Sequence, residues 1–152
     1  MATTHPWDHL VHDMREEMHD LVNLPDTTAE RQAFLAMWAT FVALPLIFGI
    51  DKLSHFMTNT WDGYVAVWAN NFLPGTAHQA VIGVGIVEIV LAAVVLLAPH
   101  AGGDLLGLLY VLLAINLFGV NDMHHLAIGM LALAFCSFAM ARMARGDHRR
   151  EV

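Results

Sequence analysis

The residues best able to do chemistry in this chain are scarce and far apart. Glu88 lies within an otherwise uncharged apolar run, residues 76–98. Counted from Thr76 it sits roughly 18 Å along a helix axis at 1.5 Å per residue. That is near mid-bilayer, where an ionised acid costs several kcal/mol and marks either a functional site or a hydrogen-bonded neutral group. No basic residue in the apolar runs is placed by sequence to reach it, so a neutral Glu88 bonded to a neighbouring carbonyl is the simplest expectation. A second group, Asp51 and the chain's only lysine, Lys52, closes another apolar run in "FGIDKLSH". Neighbours on a helix diverge by about 100°. Asp51 is therefore expected to face inward and Lys52 to snorkel outward to water.

Histidines supply the other candidates. His55, His78, His124 and His125 all lie at the ends of apolar runs, with no metal-signature spacing. They are expected to bond to backbone or water at an interface. His12, Glu16 and His19 fall at i, i+4 and i+7, a spacing that puts three ligands on one helical face. Their acidic surroundings favour a solvated polar face instead. The single cysteine, Cys136, excludes dithiol chemistry within the chain and is expected to serve as a small packing residue.

The elements that must position these groups follow from composition. The chain of 152 residues is 57% hydrophobic and 14% charged, well below the usual charged share of a soluble domain. Between residues 33 and 141 the only charges are Asp51, Lys52, Asp62, Glu88, Asp104 and Asp122. Four apolar runs, residues 33–50, 76–98, 105–120 and 126–141, predict membrane spans. Short connections make them an all-α, antiparallel four-helix bundle in the membrane. Pro45 predicts a kink in the first span. Gly103 and Gly107 in the third span, and Ala132 and Cys136 in the fourth, have the small-residue spacing of close helix approach. "APHAGGD" reads as a tight turn, and Asn121 or Asp122 as a cap for the fourth span.

Three regions result: an N-terminal segment 1–32, the four-span domain 33–144 and a basic tail 145–152. Residues 6–22 predict an amphipathic helix with Trp7, Leu10, Val11, Met14, Met18 and Leu21 on one face. It ends near "NLPD", since Pro25 disfavours helical geometry at Leu24. Its other face is acidic, unlike the basic face of a membrane-surface helix, so a protein partner or the bundle's own loops suit it better. Between spans one and two, Trp61, Tyr64, Val65, Trp68 and Phe72 predict a short interfacial helix, an anchor or lid rather than a binding cage. No signal-peptide pattern precedes the first span. Arg15, Arg31, Arg142, Arg145, Arg149 and Arg150 cluster on one side and only Lys52 on the other, which puts both termini in the cytoplasm. The bundle topology then gathers Asp51, Lys52, His55, His78, Asn116, Asn121, Asp122, His124 and His125 at the far end.

"FGIDKL" closing the first span, "WDGYVAVWANNFLPG" before the second, "GVGIVEIVLAAVVLL" within the second and "AINLF" in the third resemble the DoxX-like family of small four-helix membrane proteins. The match covers about residues 33–141 and excludes the acidic, His-rich start. Where family members often continue past the acid of span two into a glycine-containing stretch, this chain has alanines in "EIVLAAV". The resemblance implies a link to redox chemistry, since some relatives are subunits of thiosulfate:quinone oxidoreductase and others belong to membrane thiol-redox assemblies. It singles out Asp51, Lys52, Glu88 and Asn116 as cofactor-binding positions.

The leading expectation is an accessory membrane subunit of a larger respiratory or redox complex in the bacterial inner membrane, contacting quinone, lipid and other subunits or further copies of itself. Two alternatives stand beside it: a small oligomeric proton-coupled transporter using Glu88, and a purely structural scaffold. Independent catalysis on a soluble substrate is not expected without a Ser/His/Asp order, a phosphate-cradling loop or paired carboxylates at one depth. A net charge of −7 disfavours nucleic acid.

Overall fold

A computed structural model describes residues 6–23 and 28–148, and all regular structure among them is helical. The elements are α1 (Pro6–Val22), α2 (Ala29–Ser54), a 3-10 turn (Trp61–Tyr64), α3 (Val67–Phe72), α4 (Ala77–Leu97), α5 (Pro99–Phe118) and α6 (His124–His148). Four of them, α2, α4, α5 and α6, are long and apolar enough to cross a membrane. Between 28% and 39% of each helix's most apolar stretch is covered by the rest of the chain. The uncovered faces carry Leu46, Ile47, Ile86, Val90, Leu108, Leu112, Ile128 and Phe135. Such an outside is stable against lipid tails and not against water.

The starts of the spans follow the local signals. Thr28 caps α2 by accepting from the Arg31 amide at 3.3 Å. Thr76 and Gln79 form a reciprocal capping box at the start of α4. At α6 neither Asn121 nor Asp122 forms the expected side-chain cap. Asp122 takes a left-handed conformation, φ 63°, and the Met123 carbonyl accepts from Leu126 and Ala127. Helix α2 runs unbroken through Pro45, which is buried.

The expected turn "APHAGGD" shrinks to one residue. Ala98 links α4 to α5, and Pro99 opens α5 at the position where a missing N–H costs nothing. So abrupt a turn folds α5 back onto the last turn of α4. A Cβ on Gly102 would lie 2.5 Å from both Cα and N of Val95, so only glycine fits. Gly103 and Gly107 lie against α6, beside Met140, Ala141 and the Phe138 ring. Ser137 seals that contact by donating to the Gly103 carbonyl at 2.8 Å.

The inward face of α6 is Ala127, Ala134, Ser137, Met140, Ala141 and Ala144. Cys136 and Ala132 point away from it and are exposed. The expectation that Cys136 packs between helices is therefore wrong, because the packing register runs one residue later, through Ser137.

The core is built from Phe34, Leu35, Trp38, Phe41, Val95, Leu106, Tyr110 and Met140, and Leu21 of α1 packs against it. Asp20 of α1 pairs with Arg31 of α2 at 3.0 Å. The amphipathic helix thus docks on the chain's own helices. The side chains of Trp7 and Leu10, the turn at residues 24–27 and the basic residues Arg149 and Arg150 lie outside the described residues. Val11, Met18 and Val22 remain exposed on α1.

Candidate functional site

Two contacts set the stagger between α2 and α4. Trp38, early in α2, donates its indole N–H to the Val95 carbonyl near the end of α4, at 3.2 Å. Late in α2, Gly49 lies against Gly85 and Ile89, with no room for a Cβ on either glycine. Each glycine precedes a charged residue by three positions, in "GIDK" and "GIVE". Three residues is nearly one helical turn, so each charge emerges on the face where the backbones come closest.

Lys52 and Glu88 meet there. The ammonium Nζ donates to Glu88 Oε2 at 2.8 Å, with side-chain exposures of 10% and 3%. Side chains on a helix lean toward its N-terminus. Lys52 leans back along α2 into the packed region, and Glu88 leans back along α4 to meet it. Two expectations are overturned: Lys52 does not snorkel outward, and a basic residue does reach Glu88. Counting residues from each helix's own end concealed the pairing, because α4 extends past the end of α2.

The ammonium is enclosed further by aromatic faces, Trp61 at 4.2 Å from ring centroid and Phe48 at 5.8 Å. Ring quadrupoles attract a cation at such distances, more strongly when water is excluded. The segment read as an anchor or lid therefore divides into two short pieces. The first turns Trp61 inward over Lys52, and the second exposes Val67, Trp68 and Phe72.

Asp51 is fully buried beside Lys52, on a different face of α2. It accepts from the Met57 amide at 2.5 Å and from the Trp61 indole N–H at 2.6 Å. Adjacent residues 100° apart can both be buried here because α4 covers one face and the lid the other. Asn116 holds the lid from α5. Its Oδ1 accepts from the Ala66 amide at 3.0 Å, and its Nδ2 donates to the Tyr64 carbonyl at 2.6 Å. Trp68 then packs on Gly119 at the end of α5.

Of the four expected site residues, Asp51 and Lys52 meet at Trp61 and Glu88 joins them through Lys52, whereas Asn116 reaches them only through the lid backbone. Trp61 is the member that sequence reasoning missed as a site residue. The overlooked signal was the glycine three residues before each charge, which brings α2 and α4 together beneath that indole.

The histidines do not join this cluster directly. His55 and His78 stack with ring centroids 5.7 Å apart, and His78 lies 3.3 Å from Asp62. His124 sits beside the Phe118 ring. On α1, His12 lies 3.4 Å from Glu16 with both side chains exposed. Among the described residues no three His, Cys, Asp or Glu side chains are grouped to hold a metal ion. Comparison with family models, with curated proteins and with solved structures finds no match to this chain.

Proposed function

We propose that this chain is an integral membrane protein of the DoxX-like kind: an antiparallel four-helix bundle in a bacterial inner membrane, with both termini in the cytoplasm. It serves as an accessory subunit of a larger respiratory or redox complex, and its Lys52–Glu88 cluster receives a quinone headgroup. The observation that carries this reading is the buried ammonium of Lys52 held between Glu88 and the face of Trp61. A quinone carbonyl is an acceptor that such an ammonium can serve, and the indole offers a flat apolar face to the ring. Glu88 supplies the charge that keeps the lysine in place when no ligand is bound. Asp51 and Asn116 act as positioning residues, since both are occupied in fastening the lid.

Purification from native membranes, with identification of accompanying subunits and extraction of bound quinone, tests the reading. Accompanying redox subunits and a quinone lost in Lys52→Met are expected. A chain that purifies alone and carries no quinone overturns it.

One observation favours a second reading, a structural scaffold. The polar atoms of Asp51 and Asn116 are engaged by the chain's own lid. A scaffold would lose assembly in Lys52 and Glu88 variants in proportion to lost stability, with no separate loss of ligand.

A further inference from the structure

The stacked rings of His55 and His78 stand outside the Lys52–Glu88 pair but touch the lid that covers it. His55 is the left-handed C-cap of α2, φ 56°, one turn past Asp51. His78 sits in the first turn of α4. The two rings lie almost parallel, 14° between planes, with centroids 5.7 Å apart. His78 Nδ1 reaches Asp62 Oδ1 at 3.3 Å, and Asp62 belongs to the 3-10 turn of the lid, next to Trp61. Contact therefore runs from the ends of two spanning helices to the residue beside the indole over Lys52.

Three ties hold the lid. Asp51 accepts from the Met57 amide and the Trp61 indole, Asn116 grips Tyr64 and Ala66, and Asp62 meets His78. Only the third contains an imidazole, the side chain that changes charge between about pH 5 and 8. It is also open to solvent, with side-chain exposures of 49% at His78 and 51% at Asp62. An imidazolium gives the carboxylate a charge-assisted bond, and a neutral ring gives it an ordinary one. The charged groups that bear on the rings are Asp62 from the lid and Asp51 from α2, while Lys52 is engaged by Glu88 and the Trp61 face. Among the described residues Asp122, His124 and His125 make no hydrogen bond, ion pair or ring contact with either imidazole. Three carboxyl groups against one ammonium leave this end of the bundle short of positive charge, which one proton on the imidazoles supplies. A second proton would set like charges face to face across the stack.

We infer that His78 and Asp62 form a proton-operated latch on the lid. With a proton on His78 the 3-10 turn is held against α4, and Trp61 is held with it over Lys52. Without one that tie weakens and the lid opens more often. His55 is a positioning residue, its ring backing that of His78. The sign is distinctive: this lid tightens in acid, whereas contacts that need only a carboxylate loosen as it takes up a proton. The latch concerns movement of the lid alone and does not depend on what the Lys52–Glu88 pair receives.

Hydrogen exchange of the full chain in lipid nanodiscs tests this, at about pH 5.5 and about pH 8, either side of imidazole titration, and corrected for intrinsic amide rates. The reporters are the Met57, Gly63 and Val65 amides, which donate to the Asp51 carboxylate and to the Thr60 and Asp62 carbonyls. Their protection is expected to be roughly 2- to 5-fold greater at the lower pH, the worth of one exposed ion pair, with the α5 and α6 core unchanged. His78→Gln and Asp62→Asn are each expected to leave the lid at its high-pH protection at both values. His55→Phe keeps the stack and is expected to keep the response. Equal protection at both pH values in the unaltered chain overturns the latch, as does a response that survives both His78→Gln and Asp62→Asn. A response lost in His55→Phe and kept in His78→Gln places the proton on His55 and overturns the assignment to His78.

Discussion

Lys52 and Glu88 lie 36 residues apart in the chain and 2.8 Å apart in space, each buried by the other's helix. A pair of this kind is a poor source of net stability, because desolvating two charges offsets most of their attraction. Breaking it is another matter, since the survivor is left uncompensated. Glu88→Gln is expected to destabilise the fold by about 3–5 kcal/mol. Lys52→Met should cost less, because at neutral pH an abandoned carboxyl takes up a proton more cheaply than an abandoned ammonium gives one up. The double variant should recover much of the loss. Unfolding in mixed micelles, analysed as a double-mutant cycle, measures the coupling; additive losses would mean that the pair does not form.

The lid offers a separate prediction. Asn116 satisfies one amide and one carbonyl of the segment it grips. Asn116→Leu keeps the branching at Cγ and strands both backbone groups, at about 1–3 kcal/mol each if they stay buried. The lid can escape that cost by lifting. Faster hydrogen exchange at the Ala66 amide is therefore expected, with exchange in the α5 and α6 core unchanged.

How much of this was legible beforehand depends on whether a feature is local. The helix-approach glycines Gly103 and Gly107 act across one close contact and were readable in sequence. The depth of Lys52 relative to Glu88 was not. It depends on the stagger between α2 and α4, which the Gly49–Gly85 contact and the Trp38–Val95 hydrogen bond set together. Whether two neighbours such as Asp51 and Lys52 can both be buried likewise depends on a lid that covers a second face. Cys136 failed for a simpler reason: small-residue spacing gives a stripe, and α6 carries two such stripes one residue apart.

Two glycines separate close approach from mere tolerance. Gly102 lies where any Cβ would strike the backbone of Val95, which cannot rotate away as a side chain could. Gly102→Ala should force α5 off the end of α4 and cost about 1–3 kcal/mol, in the range of an overpacked core. Gly83, also helical, has nothing within 4 Å of the position a Cβ would take. Gly83→Ala should stabilise α4 by about 0.5–1 kcal/mol through lost unfolded-state freedom. Thermal unfolding of both variants in one detergent gives opposite signs if the junction is as tight as described.

Cys136 reports on where α6 runs. It is exposed on a helix that spans residues 124–148, and it sits midway along it among Phe135, Ile128 and Ala132. A thiol facing water near a basic tail would react with a charged maleimide within minutes. A thiol facing hydrocarbon meets only reagents that dissolve in lipid. In intact membranes a sulfonated maleimide is expected to leave Cys136 unmodified and a lipid-soluble one to label it slowly. Addition of a denaturing detergent should make the two rates comparable. Rapid modification by the charged reagent in native membranes would put this face of α6 in water and remove it from the bilayer.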